Sequence, residues 1–345
     1  MAQPIPSASS TSHVPAYVNE SRFVLCIVDR FGDKIPPGSH TLGVEVLHIF
    51  PNTTSPVKLV QFNNGRITER TVLKLYDRTH PGRVRKSTAP SMAAEGAYRR
   101  WNGQFADIVM ARFEAAIWYE FDQRHKTELR AYAQLESMQG TKIPRLYANV
   151  RLSLSVIDGG RRATPEEEEF LCIPGLLLQY CDCRRLRDLH FPGTAQIESD
   201  QLHVKWAGLA QRTVDAIHEI NAMGILFRSY NNNAIFKIEN GSDSIIIDFA
   251  EAVFKEDLIE TWIERRERRG FAATESPPWR RDIKYWEEAK SCGNPAAFDK
   301  AFRIHLWTLD IYYLLIRLPD YHEIIGVIRG LALVGLSQNI QTQGG

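Results

Sequence analysis

Two hydrophobic periods divide the chain, and the change from one to the other limits what it can fold into. Residues 42–50 (LGVEVLHIF), 57–62 (VKLVQF) and 70–76 (RTVLKLY) are short, rich in β-branched side chains and partly alternating. That is the pattern of half-buried strands. Asn63-Asn64-Gly65, between the second and third runs, is a hairpin signal. From Asn102 to Gly140 the apolar residues recur at helical spacing without a proline, which predicts one long helix or two shorter ones ending at Gly140. Two more strands are expected at 149–157 and 175–181, with the acidic TPEEEE stretch between them read as a solvated loop. Residues 199–224 predict a further helix: Ser199 caps it, Trp206, Ala210, Val214 and Ile217 form one apolar stripe, and Gly224 closes it. AIFKI (234–238) and SIIIDF (244–249) then predict a hairpin across ENGSD, and the remainder is expected to be helical or irregular. Strands come first and helices second, which is an α+β arrangement.

The 345 residues, 44% of them hydrophobic, are enough for one large domain or two lobes. A formal net charge of +1 excludes a nucleic-acid or membrane-surface role driven by overall basicity. The densest basic run, ERRERRG at 264–270, is interrupted by Glu264 and Glu267, as on the solvated face of a helix. Five scattered cysteines, an odd count, predict reduced thiols in an intracellular protein, expected to be cytoplasmic or nuclear. Cys181 and Cys183 stand two apart, with no second pair at zinc-ligand spacing. The Ser/Pro-rich start, residues 1–20, reads as a disordered tail without a basic-then-apolar leader. No apolar run approaches the ~20 residues needed to span a bilayer.

Three residues carry chemistry that a packed core would not ask for. Lys74 lies inside the apolar strand TVLKLYD, where an ammonium needs a partner or a wet cleft; the bland alternative is an exposed strand face. Glu128, in ELRAYAQL, is a carboxylate that a helix could bring to it. Asp248 ends the apolar run SIIID, a place where cation ligands often sit, although many strands end in Asp. His218 reads as a packing or capping residue, and Trp262, Trp279 and Trp286 as core or interface anchors.

The order strand Lys, helix Glu, strand into LLLQYC, capped helix ending in Gly, loop, hairpin and Asp-Phe resembles the protein kinase fold, over roughly Leu42 to Val253. The phrases VLKLYDR, ELRAYAQLESMQGTKIPRLY and IPGLLLQY are similar to divergent kinase-like proteins of fungi. The resemblance implies an antiparallel β-sheet lobe at 21–181 carrying a helical insertion, and a helical lobe at 182–345. It implies ATP with Mg²⁺ as cofactor: Lys74 on the α/β-phosphates, Glu128 as its partner, Asp248 on the metal, and Gln179, Tyr180 and Cys181 along the nucleotide. The 88–120 stretch, lengthening the usual Lys-to-Glu interval, is expected to be an added helical element.

The chain also departs from that family. Where the family has GVxHRDxKxxN, this chain has GILFRSYNNNA: Phe227 for the His, Arg228 retained, Ser229 for the catalytic Asp, Asn231 for the Lys and Ala234 for the metal-binding Asn. Serine cannot accept a hydroxyl proton at neutral pH as a carboxylate does, and a missing base typically costs ~10²–10⁴ in rate. FPNTTSPVK (50–58) has no glycine where the phosphate-covering loop is expected, and Ala250 follows Asp248-Phe249 in place of Gly. Three functions stay open: a nucleotide-binding, catalytically impaired kinase-like domain; an active phosphotransferase with an unusual loop; and an interaction protein that no longer binds nucleotide. Each implies a protein partner or protein substrate, with no nucleic acid and no membrane.

Overall fold

A computed structural model describes residues 17–51, 53, 55–63, 68–80, 90–92, 94–96, 108–153, 164–186, 199–227, 234–237, 244–272, 276–307 and 315–343. The chain divides into two compact units, one of residues 1–129 and 145–180, the other of residues 130–144 and 181–345.

The first unit is a closed six-stranded antiparallel barrel, in the order β1-β2-β3-β4-β6-β5. Its strands are β1 (Arg22–Arg30), β2 (Thr41–Phe50), β3 (Val57–Asn63), β4 (Thr68–Leu75), β5 (Leu146–Ser153) and β6 (Cys172–Gln179). β1 was not anticipated from the sequence. Its charged ends and Cys26 mask a short alternation in which Leu25 alone is fully buried. By pairing with β2 on one side and β5 on the other, it closes the sheet and leaves no open edge. Alternate residues of each strand point inward, so Leu25, Val44, Val46, Val60, Phe62, Leu73, Val150 and Leu177 form a continuous core. Gly175 lets β6 approach β4: a Cβ there would stand 2.9 Å from the Lys74 carbonyl oxygen.

Helix α1 (Ile108–Gln134) follows, then a 3₁₀ turn at Glu136–Met138 and Gly140 at φ 80°. The expected helix end is thus two pieces, with the α-helix stopping before Gly140. From Ile108 onward, the stretch expected as an added element is the start of the same helix that carries Glu128. TPEEEE is helical rather than a loop: α2 (Pro165–Leu171) begins on it. Proline suits the first helical position, where no N–H is needed, and glutamates favour the positive end of the helix dipole.

The second unit is mainly helical: α3 (Ser199–Ala222), α4 (Lys255–Glu267), α5 (Pro278–Cys292), α6 (Asn294–Trp307) and α7 (Tyr321–Gln343). The α3 stripe is buried as its spacing predicts, and Trp206 meets Phe302 of α6 edge-on at 5.5 Å. His218 packs beside Trp286 and Tyr321. Short antiparallel pairs complete the unit: β8 (Ile225–Phe227) with β11 (Ala252–Phe254), and β9 (Ala234–Lys237) between β7 (Cys183–Arg185) and β10 (Ser244–Ile246). All five cysteines are free thiols. Among the described residues no helix is long and apolar enough to cross a membrane. Of the disordered tail expected at 1–20, residues 1–16 lie outside the described residues, as do the turns at 64–67 and 238–243; residues 17–20 are instead tied to the barrel, the Glu20 N–H donating to the Val46 carbonyl at 2.8 Å and the Tyr17 hydroxyl to Asp77.

The barrel encloses one unusual cation. Lys58, on the same inward face of β3 as Val60 and Phe62, is fully buried, and among the described residues its Nζ has no hydrogen-bond partner. It lies 3.6 Å from the centre of the Tyr17 ring, while the Tyr17 hydroxyl donates to Asp77 at 2.6 Å. Burial pulls the Lys58 amine down from 10.5 to about 7, against the attraction of Asp77. Unfolding restores the ordinary value, so between about pH 7 and 10.5 the unfolded chain binds the extra proton. Stability therefore rises with pH across that window, by up to ~1.4 kcal/mol per pH unit from this group. Below pH 7 both states are protonated and the slope vanishes. Urea unfolding of wild type and Lys58→Met from pH 6 to 9.5 checks this: the difference in stability between them should shrink or change sign in favour of wild type as pH rises. A pH-independent difference would contradict it.

Candidate functional site

The site in the first unit begins with strand parity. Leu73 and Leu75 face the barrel core, so Lys74 between them must face outward. Helix α1 covers that face, and Lys74 is only 8% exposed. Its Nζ donates to Glu128 Oε2 at 2.5 Å, joining residues 54 apart in sequence. The bland expectation of a solvent-facing lysine is excluded by that burial.

Glu128 is itself fully buried and serves two donors, since the Tyr76 hydroxyl reaches the same Oε2 at 2.5 Å. Tyr76 and Lys74 lie on the same side of the chain, two residues apart, so one carboxylate collects both. The Tyr76 ring packs edge-on against His125, one turn before Glu128, at 5.2 Å. His125 in turn contacts Asn149 at 3.1 Å, and Asn149 donates to Asp29 at 2.9 Å. Burial lowers the His125 pKa, opposed by that hydrogen bond, so the imidazole is held neutral. A second buried ion pair stands nearby in sequence: Arg78 grips Glu95 through two bonds of 2.7 and 3.0 Å, and also donates to the Phe170 carbonyl. Neither this pair nor Tyr76 was anticipated; a lone Arg after a strand and a lone Glu seventeen residues on carry no periodic signal.

The nucleotide-lining segment expected at Gln179–Cys181 starts at the end of β6. The Gln179 backbone N–H donates to the Arg145 carbonyl at 2.8 Å, and its side-chain oxygen accepts from the Arg145 N–H at 3.1 Å. Gln179, Tyr180 and Cys181 are all half-buried, and the boundary between the two units falls between Tyr180 and Cys181. The glycine-free turn between β2 and β3 includes Ser55, which is buried, followed by Pro56.

In the second unit, Asp248 is exposed and adopts φ 68°, which is uncommon for a residue other than glycine. Such strain persists only where the neighbours enforce it. Phe249 does so: it is fully buried, edge-on to Tyr132 at 5.5 Å and tilted against Phe227 at 5.5 Å. The Ala252 N–H closes a turn onto the Phe249 carbonyl, and β11 then pairs Ala252 with Phe227. Phe227 is therefore fixed beside the Asp-Phe-Ala turn. Buried Asn294 clamps it further: its Oδ1 accepts from the Phe227 N–H at 3.2 Å and its Nδ2 donates to the Phe227 carbonyl at 3.0 Å. Sequence reasoning missed Asn294, because an Asn after Gly293 looks like any helix start. Arg228, Ser229, Asn231 and Asn233 lie outside the described residues, and Ala234 opens β9.

A nucleoside triphosphate with Mg²⁺ is the group this residue set would be asked to hold. A lysine kept charged by a buried carboxylate suits phosphate oxygens. The metal set fits less well: among the described residues no group of three or more His, Cys, Asp or Glu side chains is placed to hold a metal ion, and Ala234 has no ligand atom. Mg²⁺ can sit on one or two carboxylates when phosphates supply the rest, and Asp248 would be that carboxylate.

The chain matches no protein-family model, and no curated protein sequence is similar to it. Solved structures similar to it include protein kinase domains. One is the Toxoplasma gondii rhoptry antigen kinase domain: TM-score 0.40, 9% identity, covering 90% of this chain and 87% of that one. Another is the Mycobacterium tuberculosis PknI kinase domain, a double mutant: TM-score 0.30, 14% identity, covering 61% of each chain. The chain thus spans about three fifths of the PknI domain.

Removing one member of the buried pair should cost more than removing both. Lys74→Met leaves the Glu128 carboxylate with Tyr76 as its remaining donor of the two, at an expected cost of about 3 kcal/mol or more. Lys74→Met combined with Glu128→Leu should recover most of that loss, since an apolar pair replaces the ionic one. Denaturant unfolding of the two single variants and the double variant measures the coupling. Single-variant costs that simply add would contradict a paired site.

Proposed function

We propose that the chain is a protein kinase-like domain that binds a nucleoside triphosphate and is impaired in phosphoryl transfer. The observation that carries this reading is the Lys74–Glu128 pair: a buried strand lysine oriented by a buried helix carboxylate. On this reading Lys74 meets the phosphates and Gln179, Tyr180 and Cys181 line the base, while Asp248 is the carboxylate that would hold Mg²⁺. Bound Mg²⁺ would supply charge neutralisation of the phosphates. Glu128 and Tyr76 set the position of the Lys74 amine; the Phe227–Phe249 contact and the Asn294 clamp set the backbone that leads to Ser229 and Asp248.

Catalysis is where the residues fall short. Phosphoryl transfer rests mostly on positioning and charge, yet Ser229 replaces the residue that would accept the hydroxyl proton, and Ala234 replaces a metal ligand. A positioned base contributes ~10²–10⁴, so turnover by this loop is expected to be negligible. The partner or substrate on this reading is a protein.

One observation favours a second reading, an interaction scaffold that binds no nucleotide. Glu128 Oε2 accepts from both Lys74 and Tyr76, so the cluster also serves as a polar brace between β4 and α1 without a ligand.

Thermal-shift titration with ATP, with and without Mg²⁺ or Mn²⁺, separates the two. Nucleotide at a hundred times its dissociation constant should add ~2.7 kcal/mol of stability, and the Lys74→Met/Glu128→Leu variant should lose that gain. No shift in wild type supports the scaffold. An equal shift in wild type and variant places ATP elsewhere.

A phosphotransfer assay tests the impairment. Wild type should show no metal-dependent turnover, and Ser229→Asp with Ala234→Asn should gain little, because the glycine-free Phe50–Lys58 turn and Ala250 still limit positioning. Wild-type turnover abolished by Asp248→Asn would mean an active enzyme.

A further inference from the structure

Helices α4 and α5 of the second unit enclose an open groove of about 680 Å³, distinct from every residue assigned above. Its floor is apolar. Ile259 and Ile263 of α4 form it, with Pro278 at the start of α5, and both isoleucines continue downward into the packed cluster around Leu226 and Tyr285.

Its rim is acidic by helix periodicity. Glu256, Glu260 and Glu264 follow one another at intervals of four, and Glu267 comes three later, so all four project along one stripe ~16 Å long. Across the groove Lys255 and Asp282 neutralise each other at 2.6 Å and tie α4 to α5. The lining as a whole sets five carboxylates against two cations.

Nearby arginines offset this only in part. Arg266 turns away and stacks over the Trp262 and Phe271 rings. The pairs that do form, Arg130 with Glu256 and Arg268 with Glu264, are on exposed side chains, where ion pairs contribute little and exchange easily. Glu260 and Glu267 are exposed and make no ion pair among the described residues.

We propose that this groove docks a basic amphipathic helix of a partner protein. An acidic rim repels nucleic-acid and lipid phosphates, and among the described residues no three His, Cys, Asp or Glu side chains converge to hold a metal ion. A helix satisfies both the rim and the apolar floor. Its lysines or arginines, spaced four residues apart, run alongside Glu256, Glu260 and Glu264, while its apolar face covers Ile259 and Ile263. Selectivity comes from this local field, because the chain as a whole has a net charge of only +1. The proposal is independent of nucleotide binding.

The test uses the purified full chain without nucleotide and a fluorescein-labelled amphipathic peptide of leucine and lysine, about fourteen residues and ~21 Å long as a helix. Fluorescence anisotropy should show binding that weakens about tenfold or more between ~50 and ~300 mM NaCl. The same peptide with glutamate in place of lysine should not bind. Glu260→Lys with Glu267→Lys should weaken binding at least tenfold, and Glu260→Gln with Glu267→Gln by less. These side chains are exposed, so thermal melts followed by circular dichroism should match wild type. A control, Glu136→Lys with Glu287→Lys, changes net charge equally away from the groove and should leave binding intact. Absence of binding, equal binding by the glutamate peptide, or equal loss in the control would overturn the proposal.

Discussion

An ammonium group taken out of water has to meet a carboxylate or give up its charge, and the Lys74–Glu128 contact is this chain's answer on the outer face of its barrel. Much of the first unit is arranged around that requirement. Parity along β4 turns Lys74 away from the core, and α1 must arrive with Glu128 facing it, which settles the rotation of a 27-residue helix. Tyr76 supplies a second donor, so the carboxylate is not left half-solvated. Gly175 lets β6 lie close against the Lys74 backbone. Such a pair adds little net stability over an apolar pair, but it penalises any other helix register severely. Its effect is specificity.

Lys58 shows the opposite solution within the same barrel. It faces inward, where among the described residues no carboxylate touches it, and its pKa falls toward neutrality instead. The Tyr17 ring and the more distant Asp77 compensate only in part. Two lysines on adjacent strands, related by one step of pleat parity, therefore meet different surroundings: one has a carboxylate beside it, the other an aromatic ring and a lowered pKa. The same division of labour recurs in the second unit. The Asp-Phe-Ala turn is enforced by packing of Phe249, while the neighbouring α4 carries its charge on an unpacked face.

The candidate site was legible in the sequence only in part, for identifiable reasons. Lys74 and Glu128 stood out because a charged residue interrupts an apolar strand and a helix follows that could pair with it. Asp248 stood out by its position after an apolar run. Tyr76, Asn294 and the Arg78–Glu95 pair did not, since an aromatic, an amide and isolated charges are ordinary wherever they occur, and their roles arise from contacts 52, 67 and 17 residues distant. TPEEEE was misread because four acidic residues look solvated, and they are equally well suited to a helix N-terminus. β1 was overlooked because its alternation is short and interrupted by polar residues.

By itself, the sequence determined what local periodicity and local chemistry can determine: strands first and helices after, the α3 stripe, and the glycine stop at Gly224. Each follows from residues within a few positions of one another. Tertiary structure alone decided the rest. Barrel closure by β1, the burial of Lys58, the sharing of Glu128 between Lys74 and Tyr76, and the acidic groove between α4 and α5 all depend on which distant segments meet. Burial is what turns those meetings into chemistry: only when water is excluded does a lysine need a carboxylate, lose its proton, or leave a row of glutamates waiting for a cation.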